Sequence, residues 1–194
     1  MTAPIAQPIT NLFARERPFE KAVILGKGPS LDRYTNAKGA GSYVVGINDV
    51  ACVFRCHAVV FSDAPFDECV FDEGIDIIRH ARWRISHEGR GYVYSLPRNP
   101  DGPFMFKEPK YAIPRIGDGS LTHAITVLGI WGFREMRLWG CDSLLSDDGN
   151  ALTHAERAKE LTAIPATPEI YKSRRAGALA ALAHYKIAWS MEVV

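Results

Sequence analysis

The chain has 194 residues, 47% of them hydrophobic, with 23 Lys plus Arg against 22 Asp plus Glu for a net charge of +1. That length suits one domain and is too short for two ordinary enzyme domains, and the apolar content supplies a core without disulfides or metals. A charge so near zero excludes the broad positive field that binds nucleic acid or membranes nonspecifically.

Residues 1–18 carry Pro4, Pro8 and Pro18 and little periodicity, which predicts an N-terminal arm outside the main sheet and one domain over 19–194. Lys21 to Gly26 (KAVILG) is a continuous apolar run broken by Gly-Lys-Gly-Pro-Ser-Leu, the pattern of a strand buried on both faces that turns tightly into a helix. Ser42 to Ile47 (SYVVGI) and Ala58 to Phe61 (AVVF) repeat it and stop at Asn48-Asp49 and Ser62-Asp63. Gly91 to Leu96 (GYVYSL) is a fourth strand candidate. The loop that follows, Pro97 to Gly119, is rich in Pro, Gly and aromatics and long enough to suggest function. From Ser120 the positions Leu121, Ala124, Ile125 and Leu128 fall on one face of a helix that ends near Gly132. Glu135 to Trp139 reads as another strand, closed by Gly140-Cys141-Asp142-Ser143. Ser173 to Lys186 reads as a second helix and Ile187 to Val194 as a last strand. This alternation predicts an α/β fold with a mostly parallel sheet flanked by helices.

Cys52, Cys56, Cys69 and Cys141 show neither paired C-x-x-C knuckles nor the density of a disulfide scaffold, so reduced and mostly buried thiols are expected. No apolar stretch approaches bilayer length, and residues 1–18 lack a charged start followed by an apolar run. A cytoplasmic protein without a membrane span is expected. The sequence leaves the oligomeric state open.

Ligands of open parallel sheets bind beyond the carboxyl ends of the strands, where the strand order reverses, so the polar strand ends are the candidate site. Gly26-Lys27-Gly28-Pro29-Ser30 comes first. Glycines let the backbone approach a ligand, and a following helix would aim unpaired N–H groups at a phosphate. The run is neither a Walker loop nor a full dinucleotide fingerprint, because Leu31 stands where the third glycine belongs. A plain tight turn with Ser30 as N-cap accounts for the same residues. Asn48 lies about twenty residues on, where dinucleotide enzymes place an acid for the ribose. Asp63 can bind a ribose, an acceptor hydroxyl or a metal. Gly119 and Ser120 form a second glycine turn that opens a helix and can hold phosphate or ribose oxygens, and Asp142 closes the strand that follows.

Thr153-His154-Ala155-Glu156 is a capping box that places His154 in the first turn of a helix, where the positive terminus disfavours imidazolium. A neutral imidazole there can act as a general base; a solvated surface histidine fits as well. His57, His80, His87, His123 and His184 read as structural. Lys110, Arg115, Lys172, Arg174 and Arg175 flank these segments, with Arg115 and Lys172 as the candidates to stabilise a leaving phosphate.

The set GKGPSL, GIND, FSDAP and GSLTHAITVLGIWGFREMRLWGCD, spanning roughly residues 21–142, resembles the bacterial sialyltransferases of glycosyltransferase family 42 and the related pyrophosphokinase-like proteins of methanopterin synthesis. Short chains of this type also occur among tailed-phage proteins. The resemblance implies a Rossmann-type sheet, with Gly28, Ser30, Asn48 and Ser120 on a nucleotide donor, Asp63 as a polar donor contact and His154 as the catalytic base. Lys27 replaces the expected Asn between the glycines, Asp63 replaces Asn, and Asp49 replaces a neutral residue.

The expectation is a metal-independent glycosyltransferase that uses a nucleotide sugar as substrate and needs no cofactor. The rivals are a Mg²⁺-dependent pyrophosphokinase, with Asp63 and Asp142 on the metal, and a nucleotide-binding module without catalysis.

Overall fold

Apolar runs that end at glycine or Asn-Asp become the centre of one parallel sheet. The computed structural model describes residues 7–61, 74–80, 91–94, 96, 110, 112–145, 155–158, 161 and 167–193. Its strands are β1 (Gln7–Pro8), β2 (Lys21–Leu25), β3 (Ser42–Ile47), β4 (Ala58–Phe61), β5 (Asp76–His80), β6 (Gly91–Tyr94), β7 (Glu135–Trp139) and β8 (Ala188–Met191). The helices are α1 (Ile9–Phe13), α2 (Ser120–Trp131), α3 (Asp142–Leu145) and α4 (Pro168–His184). Among the described residues the sheet has eight strands in the order β1-β6-β5-β4-β3-β2-β7-β8, every neighbouring pair parallel. From β2 the chain adds strands outward on one side, then crosses over to place β7 against the other side of β2. The order reverses there, which makes the β2–β7 boundary the expected crevice.

The described part of the N-terminal segment does not stand outside the sheet. Gln7 and Pro8 pair with Tyr92 and Val93, and Ile9 and Leu12 of α1 are fully buried in the core. Two residues tolerate Pro8 because an edge strand needs few donors. α2 departs from the amphipathic reading, since it is buried at every residue from Ser120 to Gly129 and again at Trp131. It lies between the sheet and α4, so its threonines and His123 are enclosed as well as its leucines. The opposite face of β2, β3 and β7 is covered by one-turn 3-10 segments. There Tyr34 meets both Phe54 and Trp139 edge-on with ring centroids 5.7 Å apart. The segment after β2, Pro29–Arg33, is one of these 3-10 turns rather than the expected α-helix.

Of the described cysteines, Cys141 is buried, Cys56 intermediate and Cys52 exposed, which corrects the expectation of mostly buried thiols. Among the described residues no helix is long and apolar enough to cross a membrane.

Candidate functional site

The glycine turn after β2 is stitched to the end of β7. Gly26 N–H donates to Trp139 O at 2.8 Å and Gly28 N–H to Gly140 O at 2.6 Å. Ser30, fully buried, donates its hydroxyl to Asp142 Oδ1 at 2.9 Å and its backbone N–H to Oδ2 at 3.0 Å. The same hydroxyl accepts Gly140 N–H at 2.7 Å. A Cβ on Gly26 would lie 2.4 Å from Gly140 O, so only glycine permits this approach. Pro29 opens the 3-10 turn and Gly28, not Ser30, occupies the N-cap position. The N–H groups of Gly26, Gly28 and Ser30 are thereby spent within the protein, and Asp142, 5% exposed, has both oxygens engaged. The turn sets the distance between β2 and β7 through these bonds.

Gly119 takes φ 103° at the N-cap of α2, a conformation that favours glycine, and so brings no side chain of its own to the positive end of the helix. The helix opens onto a cleft of about 140 Å³ whose walls include Gly26, Lys27, Asn48, Gly119, Ser120 and, from α4, Arg174. Asn48, one step beyond β3, adopts the left-handed region with φ 56°, and its Oδ1 accepts the Ser120 hydroxyl at 3.2 Å. Asparagine tolerates that conformation better than most residues. Lys27 forms an ion pair with Asp49, whose side chain is 5% exposed. The cleft is smaller than the roughly 300–1,000 Å³ of a typical small-molecule pocket, so it fits one end of a nucleotide rather than the whole.

Five expected contacts, Gly26, Lys27, Asn48, Gly119 and Ser120, thus come together, whereas Gly28, Pro29, Ser30 and Asp142 do not line the cleft. Asp63 and His154 lie outside the described residues. Of the expected capping-box segment, Glu156 opens a 3-10 turn, and the N–H groups of Glu156 and Arg157 donate to the Asp32 carboxylate at 2.7 and 2.9 Å. Arg115 is bound at 3.0 Å by both oxygens of Asp118, and Lys172 is exposed and off the cleft. Besides Lys27, which is paired with Asp49, the wall carries Arg174, with Tyr171 one turn before it on the same helix face. Once α4 starts at Pro168, with the Thr167 side chain accepting Ile170 N–H, this phase follows from the buried Gly177, Ala178 and Ala181. His123 is buried, its Nδ1 3.0 Å from the Tyr94 hydroxyl. Burial and the neighbouring Asp142 push the Cys141 thiol up to about 12, so it is no nucleophile at neutral pH. Among the described residues no three His, Cys, Asp or Glu side chains gather as a metal site.

No protein-family model and no curated protein matches the chain. Among solved structures it is similar to the MAf glycosyltransferase from Magnetospirillum magneticum AMB-1, with a TM-score of 0.61 at 14% sequence identity. The match covers 99% of this chain and 33% of that one, so the chain spans about a third of that protein's length. The α/β architecture of this chain, one parallel sheet with helices, is a fold found in a glycosyltransferase.

Proposed function

We propose that the chain is a glycosyltransferase whose nucleotide-activated donor seats its phosphate end in the cleft between β2, β7 and the start of α2. One convergence carries the reading. At the switch point of a parallel sheet, the positive end of a helix with glycine at its N-cap, the Ser120 hydroxyl, the Asn48 amide and the Arg174 guanidinium line one hollow. The likeness of the fold to a glycosyltransferase supports it. A sialyltransferase-type donor is the finer form of the proposal and rests on the resemblance of the GKGPSL and GSLTHAITVLGIWGFREMRLWGCD segments.

In this reading the positive end of α2 and Arg174 hold the donor phosphate, while Asn48 and Ser120 hold ribose or sugar hydroxyls. His154, the proposed base, takes the proton of the acceptor hydroxyl as that oxygen bonds to the anomeric carbon. The bond from this carbon to the phosphate oxygen breaks, and its electron pair leaves with the nucleotide. Charge on the departing phosphate is met by donors fixed beforehand, which is where such sites gain most rate, and no metal is required for that step.

Native mass spectrometry and calorimetry with a library of nucleotides and nucleotide sugars test the proposal. At least one donor is expected to bind saturably, roughly tenfold more weakly in Arg174→Ala. His154→Ala should lower turnover by about a hundred-fold or more with donor binding intact. Absence of any binding at millimolar ligand would sink the reading. Activity abolished by EDTA would move it to Mg²⁺-dependent phosphoryl transfer, and a ligand recovered unchanged across a donor and acceptor panel would leave a binding module.

A further inference from the structure

A second, larger cavity of about 710 Å³ lies at the opposite, amino-terminal end of the sheet, beside the first residues of β3 and β5 and the residue before β4. The proposed transfer uses none of it. Its volume falls within the range of small-molecule sites. Asp76 at the start of β5 is buried, and its carboxylate accepts Arg15 Nη1 at 2.9 Å on both oxygens and the Tyr43 hydroxyl at 3.0 Å. Arg15 Nη1 also donates to the Tyr92 hydroxyl at 2.8 Å. Arg15 and Asp76 therefore cancel, and among the described residues of the wall Arg55 carries a charge that no acidic wall residue offsets.

Next to Arg55, His57 Nδ1 accepts the Val44 N–H at 2.9 Å, which puts the ring proton of the neutral imidazole on Nε2. Among the described residues of the wall, the charged and imidazole groups thus offer donors, and both oxygens of the Asp76 carboxylate are already hydrogen-bonded. Pro18 and Phe19 give the same wall an apolar side, with the Phe19 ring 4.9 Å from the His57 ring.

We infer that this cavity binds an organic anion: a carboxylate or phosphate met by Arg55 and the Nε2–H of His57, on a planar or apolar body lying against Pro18 and Phe19. The site is separate from the cleft at the carboxyl ends of the strands and does not depend on what that cleft binds.

Benzoate, phenyl phosphate and inorganic phosphate are the probes, titrated into the full chain while the ring resonances of His57, assigned with His57→Gln, are followed by NMR. Benzoate or phenyl phosphate is expected to shift them saturably, and the tighter of the two identifies the headgroup. Arg55→Glu, an exposed position that should fold normally, is expected to weaken the effect by roughly tenfold or more without changing nucleotide affinity at the other end of the sheet. No saturable shift with either aromatic anion, or an affinity indifferent to Arg55→Glu, overturns the site. Inorganic phosphate binding as tightly as phenyl phosphate overturns the role given to Pro18 and Phe19.

Discussion

Lys27 and Asp49 are two departures from the pattern of the family the sequence resembles, and the fold joins them into one ion pair with side chains 15% and 5% exposed. A charge placed between the glycines is tolerated because the next strand end supplies its partner. Lys27→Met alone removes the cation paired with the buried Asp49 carboxylate, at a cost of about 3–5 kcal/mol. Lys27→Met combined with Asp49→Asn is expected to recover most of that loss in a urea-denaturation double-mutant cycle. Ser30→Ala strips partners from the Asp142 carboxylate and the Gly140 N–H and should destabilise by about 1–3 kcal/mol. Its nucleotide affinity should change only as far as the β2–β7 boundary loosens. With its thiol raised to about 12, Cys141 should resist iodoacetamide at about pH 8 in the folded protein, while exposed Cys52 is alkylated.

At the scale of elements, the cleft is shaped by close approaches that side chains would block. A Cβ on Gly117 would lie 2.5 Å from Gly177 Cα, and one on Gly177 would lie 3.1 Å from Gly117 Cα, so α4 rests directly on the turn that leads into α2. Gly177→Ala should therefore push α4 outward by a few tenths of an ångström and carry Tyr171 and Arg174 with it. Calorimetry is expected to show a larger loss of nucleotide affinity than denaturation shows of stability. Strands whose interior is a continuous apolar run were legible in the sequence, KAVIL, SYVVGI and AVVF being β2, β3 and β4, and so was EMRLW, β7, which is closed by Gly140. β5 was not, because only Ile77 and Ile78 are apolar and its first residue is an aspartate, buried through Arg15 and Tyr43 from distant parts of the chain. The convergence of residues 26, 27, 48, 119 and 120 followed from polar strand ends on a parallel sheet. That Ser30 and Asp142 turn inward depends on the alignment of β7 with β2, and the choice of Arg174 over Lys172 on the start of α4, neither of which local pattern encodes.

For the whole molecule, acid should be destabilising through the amino-terminal end of the sheet. Burial and Arg55 lower His57 below its ordinary 6.5, against a smaller upward pull from Asp76. The folded protein consequently binds fewer protons there than the unfolded chain, so this contribution is intact above about pH 6.5 and is lost as the pH falls through the lowered value. A proton on Nδ1 would also confront the Val44 N–H. Stability measured between about pH 7 and 5 should fall, and the slope should be shallower in His57→Gln. The topology adds an order of assembly. β2 pairs on one side with β3, a short distance along the chain, and on the other with β7, which follows more than a hundred residues later. A nascent chain emerging from the ribosome can lay down β2 to β6 first, leaving one edge of β2 bare until residues 135–139 arrive. Ligand capture would then report that synthesis has passed Arg174, and a fragment stopped short of Glu135 would expose a sticky apolar edge in place of a receptor.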